Sequence, residues 1–404
     1  MSRRPGTPRL LRELNDRAAL ELLLSAGSLT RSQLGEMTGL SKVTASQLLG
    51  RLEERGLVQV VGRQGGGRGP NAALYSVVPS CGYVAGLHVG PSEISAGIAD
   101  ITGRLVTEVT IDPNGSDDPV TLVHNTVMAL VDSSKVPMER LRSFVIGTPG
   151  VVDPRSGDVR YSHDLPAWHD GVLDLLRRDL RRTVVIENDV NLAALAEHSV
   201  GAAAEAEDFV LLWLGGGVGM AIMLGDRLHR GSGGGAGEIG YLPVAGAPLP
   251  DDVGAPEGFA SLAPAVEGAK PLSHSYQSLV GGHEVQSLAI SHGFPSGSAA
   301  AAVVKALAAG ADGAAFLDEL AHRIALGVAS VCVVLDPGLV VLSGEVGRVG
   351  GAELARRVAA AVSRLGPNTV RVATTGVTGN PVLRGALLAA LDHAREEVFS
   401  SGSG

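Results

Sequence analysis

The sequence predicts an α/β protein in which a small, mainly helical head precedes a larger body. Two patterns predict this class. Apolar residues recur at helical spacing near the N-terminus, and after Gly82 short apolar runs alternate with polar helical stretches. The chain has 404 residues, more than one hydrophobic core usually serves, so two or three domains are expected. Hydrophobic residues make up 45% and charged residues 19%, as is typical of globular proteins.

Charge is divided unevenly between head and body. Residues 1–78 contain eleven Lys and Arg against six Asp and Glu, a net charge of +5. The remaining residues contain 22 against 36, a net charge of −14. Contacts to phosphate groups require local positive charge, so only the head is expected to meet a polyanion. On charge alone, a chance surface distribution stays open.

Several classes of protein are not favoured. The chain has no uncharged apolar run of about 18 residues and no signal-peptide pattern, so we expect a cytoplasmic protein without membrane contact. Cys81 and Cys332 are the only cysteines, and no CxxC pair occurs. A disulfide framework and a cysteine-rich zinc site are therefore not expected, and neither is a metal or another cofactor.

The head has the signals of three short helices. An amphipathic helix spans about 10–24, a capping box at Thr30 and Gln33 begins a second helix that ends at Gly39, and Ser41 caps a third from Lys42 to about 55. Two helices that meet across a turn containing Gly indicate a helix-turn-helix. In the third helix we expect buried Val43, Leu48, Leu49 and Leu52, and exposed Lys42, Thr44, Ala45, Ser46 and Gln47.

Two strands follow the helices, at 57–61 and 72–77. The segment between them, GRQGGGRGP at 62–70, is a flexible glycine-rich tip with two arginines, which is typical of a wing that contacts DNA. The alternative is a three-helix protein-interaction module with a solvated loop. If the head binds DNA, the expected contact residues are Ser41, Lys42, Thr44, Ser46, Gln47, Arg51, Arg63 and Arg68.

The body has five apolar strands, at 83–89, 144–146, 184–186, 209–214 and 339–342, with helices predicted at 119–131 and 314–334. Its motifs occur in a fixed order: VIGTPGVVD at 145–153, IENDVNLAALAE at 186–197, LGGGVGM at 214–220, GEIGY at 237–241 and LSGE at 342–345. With the head, this set resembles regulators of the ROK (repressor, open reading frame, kinase) family over residues 8–398.

The resemblance implies a winged helix-turn-helix at 1–78 and a two-lobed, actin-like sugar-kinase fold at 79–404. The small lobe would comprise about 79–189 and the C-terminal helix, and the large lobe about 190–375. It implies a ligand in the cleft between the lobes. The implied sugar contacts are Pro149, Gly150, Asn188, Asp189, Glu238 and Tyr241, and the implied vestigial nucleotide contacts are Gly90, Gly216, Gly217, Gly219 and Gly344.

Each sugar candidate also has a structural interpretation. Asn188 and Asp189 could be an ordinary turn that caps the next helix, and Tyr241 could be a packing aromatic. In an active kinase of the family, the residue at Asp189 would be the catalytic base. Here we expect it to be vestigial.

The chain departs from the family pattern at three places. His88 stands where the first phosphate loop has Asp, and Gly216 where the second loop has a hydroxyl residue. Tyr241 replaces the zinc-binding His, and 242–291 contains no cysteine, so the family's tetrahedral zinc site cannot be built. His274, His283 and His292 are expected to be surface or structural residues.

Three hypotheses for function follow. The first is a sugar-responsive repressor without kinase activity, binding operator DNA as a homodimer or homotetramer. The second is an ATP-dependent sugar kinase with a DNA-binding appendage. In the third, the body serves chiefly for oligomerisation or partner docking.

Overall fold

The computed structural model of the chain describes residues 8–65, 71–90, 93–112, 118–162, 165, 171–243, 275–366 and 369–400. Within these residues, a small N-terminal domain precedes two five-stranded sheets that are covered by helices. Among the described residues, no helix combines the length and apolarity needed to cross a membrane.

The head contains three helices and a three-stranded antiparallel sheet in the order β1-β3-β2. The predicted capping box is confirmed, because Thr30 Oγ1 accepts from the Gln33 amide at 3.3 Å and Gln33 Oε1 accepts from the Thr30 amide at 2.8 Å. Gly39 ends the second helix in the left-handed conformation, with φ of 70°. The elements are α1 (Pro8–Ala26), β1 (Leu29–Thr30), α2 (Arg31–Thr38), α3 (Lys42–Glu54), β2 (Val58–Gln64) and β3 (Ala72–Val77).

Two predictions for α3 were wrong. Val43 is 67% exposed, whereas Ala45 is fully buried. Ser41 is the cap and α3 begins at Lys42, so Ala45, Leu48, Leu49 and Leu52 share the stripe that faces α1 and α2. Val43 lies on the opposite, solvent-facing side together with Lys42, Ser46 and Gln47.

The first body sheet has the strand order β10-β7-β4-β5-β6. Strands β4, β7 and β10 run parallel, so their carboxyl ends meet at one edge. Helices α4 and α5 cover one face of the sheet. The elements are β4 (Tyr83–Val89), β5 (Ile94–Asp100), β6 (Leu105–Ile111), α4 (Pro119–Ser134), β7 (Leu141–Thr148), β8 (Val151–Val152), β9 (Val159–Tyr161), α5 (Val172–Leu180) and β10 (Thr183–Asn188).

The second body sheet has the order β13-β12-β11-β14-β15. One face packs on α6, and the other packs on α8 to α11. The elements are α6 (Asp189–Val200), β11 (Phe209–Leu214), β12 (Val218–Leu224), β13 (Arg227–Leu228), α7 (Gln277–Val280), α8 (Gly282–Ser291), α9 (Ala299–Ala308), α10 (Ala314–Leu335), β14 (Leu339–Ser343), α11 (Gly344–Leu365) and β15 (Arg371–Thr374).

The last helix, α12 (Pro381–Ser400), joins the parts of the molecule. It packs on β4 and β7, on α6 and on α1 of the head. One cluster of buried apolar residues therefore runs from Leu20 and Leu52 in the head, through Leu391 and Leu387, to Leu192 on α6. The contact with α6 is close, because a Cβ on Gly385 would lie 1.9 Å from the Leu192 carbonyl oxygen.

Candidate functional site

The turn at Pro149–Gly150 and the Asn188–Asp189 pair lie side by side. Thr148 at the end of β7 is opposite Asn188 at the end of β10 in the parallel ladder. Asn188 Nδ2 donates to the Gly150 carbonyl oxygen at 3.1 Å, and Asn188 Oδ1 accepts from the Asn191 amide at 3.1 Å. Asn188 thus caps α6 and also holds the turn, so the capping interpretation applies to it. Asp189 is the first residue of α6.

Glu238 comes to the same place from the second sheet. It directly precedes a short 3-10 helix at Ile239–Tyr241. Burial, together with the nearby negative charge of Asp189, raises its pKa to about 7. A carboxylic acid beside a carboxylate offers both a donor and acceptors, which suits a pair of sugar hydroxyls. Tyr241 is half-buried at the end of this 3-10 helix, three residues after Glu238.

The position of Glu238 depends on the glycine before it. Gly237 has φ of 99°, and a Cβ there would lie 1.9 Å from the Met220 carbonyl oxygen. Any other residue would have to displace β12, so the Gly of this motif is required by close backbone approach.

An ion pair that the sequence did not predict connects the two sheets. Glu187, the buried residue before Asn188, accepts from Arg230 Nη2 at 2.6 Å and from Arg230 Nε at 2.7 Å. Its other oxygen accepts from Asn191 Nδ2 at 2.9 Å and from the Asn188 amide at 3.0 Å. Glu187 therefore holds Asn188 and Asn191 in place while it connects β10 to the segment after β13. Glu187 lies within the 186–197 motif, which could have identified it as a site residue. Arg230 lies in none of the motifs, so no sequence signal pointed to it.

His88 cannot replace the acid of a phosphate loop. Its Nδ1 lies 3.0 Å from Asn380 Nδ2, and burial lowers its pKa to about 4, so the ring is neutral. Asn380 also caps α12, because its Oδ1 accepts from the Leu383 amide at 3.1 Å. Gly90 donates its amide to the Glu93 carbonyl at 3.0 Å, and Pro91 and Ser92 lie outside the described residues.

The second glycine loop, within the motif at 214–220, is held by hydrogen bonds to Gln277. The Val218 amide donates to Gln277 Oε1 at 2.8 Å, and Gln277 Nε2 donates to the Gly216 carbonyl at 3.2 Å. Gly216 and Gly217 have open space where a Cβ would be, whereas a Cβ on Gly219 would lie 2.9 Å from Val190. Gly344 also belongs to a tight turn: its φ is 73°, and a Cβ would lie 2.5 Å from the Leu214 carbonyl oxygen.

Four of the proposed DNA contacts form an exposed group at the start of α3: Ser41, Lys42, Ser46 and Gln47. Thr44 is half-buried, and its amide donates to Ser41 Oγ at 3.2 Å. Arg31, which the sequence analysis did not select, donates from Nη1 to Ser46 Oγ at 3.3 Å and adds positive charge to this face.

The three arginine candidates have different surroundings. Arg51 pairs with Asp16 at 2.7 Å and so holds α3 against α1. Arg63 is exposed on β2, and Arg68 lies outside the described residues.

No group of three or more His, Cys, Asp and Glu is arranged to hold a metal ion within the described ranges. His283 is exposed, and His292 Nε2 lies 3.0 Å from Glu319 Oε2, whereas His274 lies outside the described residues. Tyr241 and the absence of cysteines at 242–291 do not fit a Cys₃His zinc set.

Two family models match the chain. Residues 84–392 match the ROK family and residues 13–69 match the MarR family. The chain belongs to the ROK family. The resemblance inferred from the ordered motifs is thereby confirmed, and the head is a MarR-type winged helix.

The relatives of this chain include transcriptional regulators and a sugar kinase. NagC, a DNA-binding transcriptional dual regulator of Escherichia coli, is 27% identical over 242 residues, which is 59% of each chain. A putative xylose repressor of a Caldicellulosiruptor species is 23% identical over 359 residues, covering 85% of this chain and 86% of the relative. Glucokinase of Thermotoga maritima is 31% identical over 163 residues, covering 39% and 50% of the two chains.

Solved structures confirm the fold. A ROK family transcriptional regulator, a homologue of the E. coli MLC protein, aligns over 97% of this chain and 100% of its own, with a TM-score of 0.73 and 16% identity. A ROK hexokinase of Thermus thermophilus aligns over 78% and 99%, with a TM-score of 0.60 and 25% identity. The predicted winged helix-turn-helix followed by an actin-like fold is therefore correct.

Proposed function

We propose that this ROK protein is a sugar-responsive transcriptional repressor without kinase activity. The observation that carries the proposal is the combination, in one chain, of a winged helix-turn-helix with Asn188, Asp189 and Glu238 at one site. The relatives named as N-acetylglucosamine and xylose repressors support a sugar as the effector. We propose the domain boundaries predicted from the sequence, 1–78 and 79–404, for the two functions.

Loss of phosphoryl transfer is the finer part of the proposal. The neutral ring of His88 supplies no negative charge to position a metal ion with the phosphates of ATP. The Val218 amide in the second glycine loop donates to Gln277 and is therefore not free to donate to a phosphate. The sugar-side carboxyl groups do not depend on either feature, so hydroxyl recognition can persist without catalysis.

Helix α12 supports coupling between the cleft and the head. Its first turn is capped by Asn380, which contacts His88, and its middle packs on α6, which begins at Asp189. Its last turn is bonded to the head through Arg55. A sugar that favours one lobe arrangement shifts α6 and α12 and thereby the head, but only to the extent of its differential affinity for the two arrangements.

We propose that the repressor binds a pseudo-palindromic operator as a homodimer or a dimer of dimers. Each head places the start of α3 in the major groove, and symmetry sets the half-site spacing. The bound sugar changes the spacing of the two heads and releases the operator.

An active kinase is the second candidate, because Asp189 is retained and the Thermotoga glucokinase is a relative. A coupled ATP assay of the full-length protein over a sugar panel that includes N-acetylglucosamine, glucose and xylose separates the candidates. We expect no turnover above background with a sugar that binds by calorimetry. Turnover at an ordinary kinase rate, about 1–100 per second, would overturn the loss of catalysis.

The repressor proposal itself is tested on DNA. An operator is selected from random duplexes and titrated with the full-length protein by fluorescence anisotropy, with and without each sugar. We expect specific binding that one sugar weakens at least about tenfold. Absence of any duplex binding at low salt would contradict the function of the head.

A further inference from the structure

A pocket of about 500 Å³ lies where the head meets the body. The head lines it with Arg55 and the residues that follow, and the body lines it with Arg140, Arg142, Cys81 and Glu397. It lies at the opposite ends of β7 and α12 from the sugar cleft, because Arg142 is the second residue of β7 and Glu397 is in the last turn of α12. The pocket is therefore a site separate from the cleft.

The pocket is rich in positive charge. Three guanidinium groups line it together with one carboxylate, that of Glu397. The nearest approach of that carboxylate to Arg142 is 3.9 Å, from Oε1 to Nη1, which is longer than a hydrogen bond. Since an arginine cannot lose its proton in a protein, the pocket keeps an excess of positive charge at any physiological pH.

One donor in the pocket is unused. Arg142 Nε is buried and has no hydrogen-bond partner among the described residues. Solvent does not reach this atom, so the part of Arg142 that can meet a ligand is the outer portion of its guanidinium, on a side chain that is 40% exposed.

The other two arginines are held in place mainly by uncharged carbonyl groups. Arg55 Nη2 donates to the carbonyl oxygens of Val398 and Phe399 at 3.2 Å, and Arg140 Nη1 donates to the Ser80 carbonyl at 2.8 Å. Arg55 Nη1 also lies 3.8 Å from Asp16 on α1. Carbonyl groups orient a guanidinium but carry no net charge, and Asp16 pairs more closely with Arg51, at 2.7 Å, than with Arg55, so both arginines keep positive charge that attracts an anion.

Two other uses of the pocket are not favoured. Burial raises the pKa of the Cys81 thiol to about 11, so the thiol stays protonated and is not a reactive nucleophile. DNA backbone contact is not favoured either, because Arg55 follows the C-terminus of α3. The 13 residues of α3 place it about 20 Å from the DNA-facing group at Ser41 and Lys42.

We propose that this pocket binds a small oxyanion, a phosphate or carboxylate group, through Arg142 and Arg140 of the body and Arg55 of the head. The anion accepts hydrogen bonds from the guanidinium groups and offsets the excess positive charge of the pocket. Because it contacts both domains, it holds the head at one angle to the body. Bound anion therefore changes operator affinity independently of the sugar, which extends the function proposed above.

Calorimetry on the full-length protein tests the site. Pyrophosphate, inorganic phosphate and citrate are titrated separately in chloride buffer at a constant ionic strength of about 0.15 M, so that general screening is equal in every arm. We expect saturable binding of at least one anion, weakened at least about tenfold by Arg142→Gln. Arg178→Gln, at an exposed arginine on α5, should bind as the wild type does, and Arg140→Gln provides a second variant should Arg142→Gln not fold.

The three titrations also identify the chemical class of the anion. Because they measure anion binding directly, their failure would be distinguishable from failure of the proposed repressor function. Preference for the two phosphates over citrate, or the reverse, tells whether the site takes phosphate or carboxylate. Absence of saturable binding, or equal weakening by Arg178→Gln, overturns the proposal. Weaker DNA binding by Arg142→Gln in anion-free buffer, with a shallower salt dependence, would show that these arginines contact DNA phosphates and would also overturn it.

Discussion

Arg55 at the end of α3 donates from Nη2 to the carbonyl oxygen of Phe399 in the last turn of α12, at 3.2 Å. The helix that carries the DNA-facing residues is thus bonded to the free end of the helix that starts beside the cleft. The carbonyl groups of a last helical turn lack intrahelical donors and carry partial negative charge, so a guanidinium there satisfies and stabilises them. The contact connects the two proposed activities of the protein.

Arg55→Ala should uncouple sugar from DNA. We expect sugar affinity to stay unchanged, because Arg55 is far from the cleft. The factor by which bound sugar weakens operator binding should be at least about tenfold smaller than in the wild type. Calorimetry for sugar and anisotropy for DNA measure the two quantities separately. Arg178→Ala, at an exposed position on α5, should keep the full response. A normal sugar response in Arg55→Ala would exclude this contact from the coupling.

Asp189→Asn should abolish the effector response and leave operator binding intact. The substitution keeps the size of the side chain but removes the charge that accepts hydrogen bonds from sugar hydroxyls. Sugar binding by calorimetry should weaken by about ten- to a hundredfold, as expected when a charged hydrogen-bond partner is lost. Asp174→Asn, at a 72% exposed side chain on α5, is the matched control. An unchanged response would remove the cleft from the mechanism.

Glu238 should make stability depend on pH. Its pKa is about 7 in the folded protein against 4.5 as the ordinary value, so between these values the folded state holds a proton that the unfolded chain releases. The free energy of unfolding should therefore fall as pH rises from about 4.5 to about 7, by up to about 3 kcal/mol, and stay level above that range. Denaturant melts at several pH values measure the fall.

Glu238→Gln should remove this contribution, because an amide does not titrate. The stability of the variant relative to the wild type should then increase between pH 5 and pH 7, where the wild type loses stability. Glu139→Gln, at an exposed position, should leave the pH profile unchanged. Parallel profiles for wild type and Glu238→Gln would contradict the raised pKa.

Residues of the head should affect DNA binding in two ways. Gln47 is exposed at the start of α3, so Gln47→Ala should change which base is preferred at one operator position, by about 1–3 kcal/mol. Arg63 on β2 and Arg68 of the predicted wing should contact phosphates. Each Ala variant should weaken binding to all sequences and reduce the salt slope by about one. Anisotropy over a range of salt and operator variants distinguishes these effects, and unchanged binding in all three variants would contradict the predicted interface.

The local elements were predictable because their signals are local. Capping residues, glycine stops and periodic apolar positions lie within a few residues of the structure they specify, so the helix limits at Thr30, Gly39 and Ser41 followed directly. Val43 and Ala45 were assigned to the wrong sides of α3, because apolarity alone favoured the larger residue for the core. Their true positions depend on the angle at which α3 packs on its neighbours.

The sequence by itself determined the division into a basic head and an acidic body, the order of the motifs and hence the family. Only the tertiary structure decided that Arg230 pairs with Glu187, that His88 is neutral beside Asn380, that burial raises the pKa of Glu238, and that three arginines meet at the junction of head and body. Apart from Arg140 and Arg142, the residues of each contact are distant in the chain. Their pKa values and hydrogen bonds depend on burial and on neighbours that packing brings together, and local sequence patterns do not encode those distances.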